Sequence, residues 1–181
     1  MTVAPGTYTL GPESAELLVH TGRRGGAAKA GHDLVIEVSS WSATLELADD
    51  PGQSSLALSA DGGSLRVREG HGGMTKLGDD DKRGITQTID DEVLGGGAIE
   101  FRSAAVEAGA QPGQLRIEGE LDLVGTTRPV EFELNLGDDG HLTGEATIVQ
   151  SEWGIKPYST LFGALKVADE VNVTVEAELP G

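Results

Sequence analysis

Residues 171–179 read VNVTVEAEL, a stretch in which apolar and polar side chains alternate at every position. Side chains two residues apart lie on the same face of a β-strand. One face of this strand is therefore aliphatic, and the other carries amide, hydroxyl and carboxylate groups. This pattern is typical of an antiparallel sheet with one wet face, because strands buried on both faces are apolar throughout.

The same period of two recurs along most of the chain, at residues 34–38, 45–47, 56–60, 65–67, 99–101, 115–123, 130–136 and 142–148. Turns rich in Gly, Asp and Pro separate these runs, at residues 49–52, 61–63, 111–113 and 137–140. The pattern predicts an all-β fold of about eight antiparallel strands that close into a barrel or sandwich. A barrel of that size is either filled by its own side chains or holds one small ligand.

One segment, residues 79–94, departs from this pattern and predicts a single helix before the strand at residues 98–103. Its apolar side chains have helical spacing: Ile85, Ile89, Val93 and Leu94. One of the aspartates at 79–81 is expected to cap the helix, and the glycines at 95–97 are expected to end it. We expect the apolar face to cover one end of the barrel.

Composition restricts the classes of function. The chain has 181 residues, which predicts one domain. It carries 13 Lys and Arg against 30 Asp and Glu, a net charge of −17 that repels nucleic acids and anionic membranes at long range. No cysteine is present, so disulfides and thiolate chemistry are excluded. The chain begins without a basic and apolar leader and has no apolar run of about 18 residues, so we expect a cytoplasmic chain without a transmembrane segment.

Few residues have the spacing of a catalytic or metal site. The four histidines lack metal-ligand spacing, and the calcium-loop-like run from Asp79 to Gly84 places Arg83 where an oxygen ligand is needed. We therefore predict no metal and no cofactor. The neighbours His32 and Asp33 leave open a small hydrolase or isomerase, although no Gly-x-Ser-x-Gly motif accompanies them.

The barrel interior is the most informative feature, since its aliphatic lining has small gaps at Gly119, Gly144, Ala146 and Ala177. One interpretation is a channel for a flexible hydrocarbon chain. The alternative is a filled barrel, with no cavity above about 300 Å³, that presents an acidic surface to a partner or to a second copy in a homodimer. The candidate lining residues are Ile36, Val38, Leu45, Leu58, Val67, Ile89, Phe101, Ile117, Leu121, Phe132, Leu134, Ile148, Trp153 and Phe162.

Several motifs, in order, resemble the YceI-like family. Residues 119–130, GELDLVGTTRPV, are similar to its strand–turn–strand motif, and residues 99–103, IEFRS, to the strand after its helix. The opening strands GTYTL (6–10) and LLVH (17–20) and the closing EWGI (152–155) are also similar. The resemblance covers essentially the whole chain. It implies a bacterial, non-catalytic, extended lipocalin-like barrel whose tunnel takes a long-chain amphiphile, typically a polyisoprenoid such as a prenyl phosphate or quinone.

The chain departs from the family at the expected barrel mouth. The family's Arg-Asp-x-His-Leu stretch is absent, and residues 81–85, DKRGI, stand in its place. Many relatives are exported, whereas this chain begins directly at its first strand. Salt screens the net charge beyond about 8 Å, so local cations would decide whether an anionic head group binds. The candidate residues for binding such a head group are Arg23, Arg24, Lys29, His32, Lys82 and Arg83. The alternative interpretation is that they are solvated loop residues that bind no ligand.

Overall fold

A computed structural model describes residues 3–180 and has fourteen β-strands within that range. The strands are β1 (Gly6–Leu10), β2 (Ala15–His20), β3 (Arg23–Arg24), β4 (Asp33–Val38), β5 (Trp41–Leu47), β6 (Ser55–Asp61), β7 (Leu65–His71), β8 (Ala98–Ala108), β9 (Gln114–Leu123), β10 (Thr126–Leu136), β11 (His141–Val149), β12 (Ser159–Thr160), β13 (Leu165–Val167) and β14 (Glu170–Glu178). An α-helix, α1 (Asp79–Thr88), separates β7 from β8 and continues as a π-helical turn over Ile89–Leu94.

Eleven of these strands form one antiparallel sheet in the order β1-β5-β6-β8-β9-β10-β11-β14-β2-β4-β7. This sheet curls into a half-barrel, which confirms the predicted all-β, lipocalin-like class. The remaining strands form a small sheet in the order β12-β13-β3. The predicted count of about eight strands was too low, in part because strands of two or three residues are too short to show alternation.

The alternation in sequence becomes the two faces of the curled sheet. On β14, Ala177 is buried in the core, whereas its neighbours Glu176 and Glu178 are exposed. On β5, Ala43 and Leu45 are likewise buried. The inner face of the long strands is therefore mostly apolar, and acidic residues such as Glu176 and Glu178 lie on the outer face.

A short corner ties the two ends of the sheet together. The backbone N–H of Ser39 donates to the carbonyl of Ser64 at 3.0 Å, and the N–H of Ser40 donates to the Ser64 hydroxyl at 3.1 Å. Ser64 is 3% exposed. Because Ser39 and Ser40 connect β4 to β5, these bonds hold the edge pair β4–β7 against β5–β6 and help to close the curl.

The predicted helix is confirmed between β7 and β8 and begins at Asp79, but its N-cap residue differs from the prediction. Gly78 is the N-cap, and its N–H donates to the Asp81 carboxylate at 2.9 Å. The expectation that an aspartate caps the helix was wrong, because Asp81 lies in the first turn and reaches back to the free N–H. Gly95 ends the segment with φ of 62°, as the glycine run predicts. No helix in the described part of the chain is long and apolar enough to cross a lipid bilayer.

His141 at the start of β11 makes stability depend on pH. Its Nδ1–H donates to the Glu178 carboxylate at 2.7 Å, and this bond raises the pKa of His141 above its ordinary value of 6.5. A raised folded-state pKa means that the contact stabilises fully below pH 6.5 and is lost as pH rises through the higher value. We expect Glu178→Gln to lower the pKa of His141 toward 6.5 in an NMR titration. An unchanged pKa would contradict this assignment.

Candidate functional site

The half-barrel encloses an apolar cavity of about 800 Å³. This volume lies in the upper part of the range of about 300–1,000 Å³ that small-molecule sites occupy. It exceeds the limit expected for a filled barrel, so the interior is open. Side chains of α1 and its π-helical turn, Ile85, Ile89 and Val93, form one wall, as the sequence predicts for the apolar helix face.

Ten of the fourteen candidate lining residues border this cavity: Ile36, Val38, Leu45, Leu58, Ile89, Phe101, Leu121, Phe132, Leu134 and Ile148. The small residues Gly144 and Ala146 of β11 also border it. Phe101 and Phe132 lie in contact, with ring centroids 5.3 Å apart. Most of the remaining wall is aliphatic and suits a flexible chain. Its charged lining residues include Asp80, Asp81 and Glu145.

Two of the candidates outside the cavity lie in packed regions. Ile117 of β9 is fully buried between Val106 and Phe132, its register partners on β8 and β10. Trp153 belongs to a separate cluster at one end of the sheet, where its indole N–H donates to the carbonyl of Leu121 at 3.0 Å. Neighbouring side chains fill the space beside both residues, so neither reaches the cavity.

The other two candidates that do not border the cavity are Val67 and Phe162. Val67 is buried in the core on the edge strand β7, and its N–H donates to the Thr86 hydroxyl of α1 at 3.1 Å. Phe162 lies in the turn between β12 and β13 with its side chain wholly exposed and φ of 54°. Gly119 also lies outside the cavity, because the Phe101 ring packs directly against it.

Sequence reasoning missed several lining residues. Trp41 begins β5 in phase with Leu45 and is 6% exposed, so the alternation contained the signal for it. Its indole N–H is buried and has no hydrogen-bond partner among the described residues. Leu77, Ile155 and Leu165 lie in irregular segments or a very short strand, where no periodicity marks them.

Three connecting segments frame the mouth of the cavity. They are residues 21–32 between β2 and β4, residues 72–78 between β7 and α1, and residues 156–168 between β11 and β14. We call them the mouth segments. Register pairs such as Asp33–His71 and Val149–Glu170 place these connections at one end of the sheet. Exposed groups here, including Tyr158 and Lys166, border the cavity, so it opens to solvent at this end.

Contacts between the mouth segments are direct. The Ala27 N–H donates to the carbonyl of Ala164 at 2.8 Å. Arg24 pairs with Lys166 in the β3–β13 ladder. The Nε2–H of His32 donates to the carbonyl of Thr75 at 2.7 Å. The mouth is therefore one connected surface.

Of the six candidate head-group residues, Arg23 and His32 border the cavity. Arg23 Nε and Nη2 donate to the Asp33 carboxylate at 3.0 and 3.3 Å, and Nη1 donates to the Gly31 carbonyl at 2.8 Å. Its donors are largely used within the protein. The other four do not border the cavity: Arg24, Lys29, Lys82 and Arg83.

The residues of the hydrolase alternative have separate partners. His32 bonds Thr75, while the Asp33 carboxylate is paired with Arg23. The Ser39 hydroxyl lies at the other end of β4 and donates to the Ser64 carbonyl at 2.7 Å. The structure thus does not bring a serine, a histidine and an aspartate together as a relay.

Arg23 is expected to hold the loop at residues 28–31 in place. Bonds from a charged donor each contribute about 1.5 kcal/mol or more, so Arg23→Met should speed hydrogen exchange of these amides at least about tenfold. Arg24→Met removes an exposed arginine from the same loop and serves as the control, with little expected effect. Equal exchange in wild type and Arg23→Met would contradict this role.

Comparisons with known proteins agree on the fold. A family model described as "YceI-like domain" matches residues 8–179. Burkholderia cenocepacia BcnA superposes with a TM-score of 0.66 at 15% identity, over 92% of this chain and 96% of that one. A Campylobacter jejuni YCEI protein superposes with a TM-score of 0.53 at 13% identity, over 81% and 85% of the two chains. No curated protein sequence matches the chain.

Proposed function

The chain belongs to the YceI-like domain family, and on that premise we propose that it binds one long-chain amphiphile, such as a polyisoprenoid, inside the half-barrel without altering it chemically. The observation that carries the proposal is the open aliphatic cavity of about 800 Å³. A hydrocarbon chain that enters it exchanges water for apolar contacts along its whole length, which is the main driving force for such binding.

The expected binding free energies favour a ligand with a long hydrocarbon chain. Ligands of this size gain about 0.3 kcal/mol per non-hydrogen atom. A chain of about 20 carbons would then gain about 6 kcal/mol, which corresponds to tens of micromolar. A chain of about 40 carbons would gain about 12 kcal/mol and reach nanomolar affinity. A long isoprenoid needs no contact with its head group to bind tightly, whereas a short one does.

The polar head of the ligand would remain at the mouth. Lys166 borders the cavity and has no carboxylate within 4 Å in the described part of the chain, so its ammonium group is free to pair with a phosphate. Tyr158 and Thr160 border the same cavity, and a hydroxyl group of this kind can donate to a phosphate or a quinone carbonyl. Arg23 contributes less, because Asp33 neutralises it.

Native mass spectrometry of the delipidated protein tests this proposal. The probes are prenyl alcohols of increasing length, a prenyl diphosphate, a prenyl quinone and a fatty acid. We expect 1:1 complexes whose affinity rises with chain length until the cavity is full. Failure of all four classes to bind, or affinity that does not depend on length, would overturn the proposal. Release of a shortened product that His32→Ala abolishes would instead support the hydrolase alternative.

A further inference from the structure

Five exposed cations lie on the mouth segments: Arg24, Lys29, Lys76, Lys156 and Lys166. We call this set the cationic rim. None of the five has a carboxylate within 4 Å among the described residues. The mouth segments themselves contain no Asp or Glu. The contacts described above join the three segments, so the five cations lie on one connected surface. Asp80 and Asp81, at the start of α1, also border the cavity, but Asp80 is paired with Arg83 and Asp81 accepts from the Gly78 N–H.

This distribution contrasts with the rest of the chain, whose net charge is −17. The chain has five lysines, and the only one outside the mouth segments is Lys82, on α1 beside three aspartates. On the long strands, Arg68 and Arg116 form ion pairs with glutamates. Three of the five arginines on the long strands are thus paired, and at the mouth Arg23 is paired with Asp33, whereas the five cations of the rim have no carboxylate partner among the described residues.

Large apolar side chains are exposed at the same place. Among the described residues four are strongly exposed, and Met74, Tyr158 and Phe162 belong to the mouth segments. Phe162 is wholly exposed, and its φ of 54° is an unfavourable conformation for a bulky residue. Folding of the chain gains nothing from the side chains of Met74 and Phe162 held in solvent, so both are available for a contact outside the chain.

We propose that the mouth of the cavity docks onto an anionic lipid membrane, with the cationic rim on the head groups and Met74, Tyr158 and Phe162 inserted among them. Near a membrane each Lys or Arg is attracted by anionic lipids, and salt confines electrostatic forces to about 8 Å. The acidic residues of the outer wall away from the mouth then lie beyond that range, and Asp80 and Asp81 are the carboxylates near the mouth that oppose docking. Docking faces the cavity toward the lipid, so an amphiphile can enter or leave without crossing water.

A nucleic acid would also be attracted by free cations, but it fits the rim less well. The exposed apolar residues include Met74, which offers no ring for base stacking, and Tyr158 borders a cavity whose wall suits hydrocarbon. The membrane interpretation accounts for both the charge and the apolar side chains. A single-stranded oligonucleotide is included in the test as a competitor.

Flotation of the full chain with vesicles tests whether the cationic rim binds anionic lipid. Vesicles of phosphatidylcholine alone are compared with vesicles that contain 30% phosphatidylglycerol, at low and high salt. Lys76→Glu with Lys156→Glu should weaken binding to the anionic vesicles on the order of 100-fold. The control is Arg66→Glu with Arg102→Glu, which makes the same change in net charge on exposed strand residues. This control pair should weaken binding to the anionic vesicles less than threefold. Equal loss in both pairs, or displacement by the oligonucleotide, would overturn the proposal.

Insertion is tested separately with Met74→Ser and Phe162→Asn, since Asn tolerates the left-handed conformation at 162. We expect binding to anionic vesicles to fall about tenfold. Phe162→Trp should show blue-shifted emission with anionic vesicles only, and unchanged emission would contradict insertion. None of the residues changed in these tests borders the cavity. Loss of vesicle binding with prenol binding intact therefore bears on docking alone, and loss of prenol binding bears on the proposed function.

Discussion

Ala146→Phe is expected to weaken binding of a prenyl alcohol about 20-fold while the protein stays folded. Ala146 borders the cavity on β11, in phase with Gly144 and Ile148. A phenyl ring there would occupy the space of about six ligand atoms, which corresponds to about 1.8 kcal/mol of lost binding. Because the ring enters existing space, it should not impose the cost of overpacking a filled core.

Ala57→Phe is the matched control for this variant. Ala57 lies on β6 between Leu56 and Leu58, and its side chain is exposed on the outer face. The same substitution should leave prenol affinity unchanged there. Titration by native mass spectrometry and urea denaturation of both variants give affinity and stability together. Wild-type affinity in Ala146→Phe, or equal loss in both variants, would contradict a ligand inside the half-barrel.

Ile117→Ala is expected to lower the free energy of unfolding by about 3–4 kcal/mol. Ile117 is fully buried, and its register neighbours Val106 and Phe132 leave it no contact with the open cavity. Truncation of such a residue removes its transfer free energy and leaves a new void. Urea unfolding should show a lower midpoint with an unchanged slope.

Leu58→Ala is the comparison for Ile117→Ala. Leu58 is half-buried and borders the cavity, so it already lacks neighbours on one side. Its truncation should cost about 1–2 kcal/mol in the ligand-free protein, less than the Ile117 variant. Equal costs at both positions would mean that the cavity collapses around Leu58 in solution.

The sequence predicted which face of each long strand is apolar, but it could not predict where the interior is open. Ile117 and Leu121 of β9 are in the same phase, yet only Leu121 borders the cavity. Periodicity reports the face of a strand and carries no information on the neighbouring strands. The packing of Phe101 against Gly119 involves a side chain from β8, which pairs with β9 only in the folded sheet.

The mouth was less predictable than the barrel for a related reason. Residues 21–32, 72–78 and 156–168 have no periodic pattern, and contacts between residues far apart in sequence position them. The His32–Thr75 and Ala27–Ala164 bonds are examples. Consequently the sequence marked the basic loop but not Lys76 and Lys156, nor the pairing of Arg23 with Asp33, which becomes evident only in the folded chain.

A crystal structure of the protein soaked with a terminally brominated long-chain alcohol tests the central claim most directly. The account predicts continuous density for one chain along the cavity, past Phe101 and Leu134, with the polar end at the mouth near Lys166. The anomalous signal of bromine would then mark the buried end of the chain. A closed interior, or bromine found only on the outer surface, would contradict it.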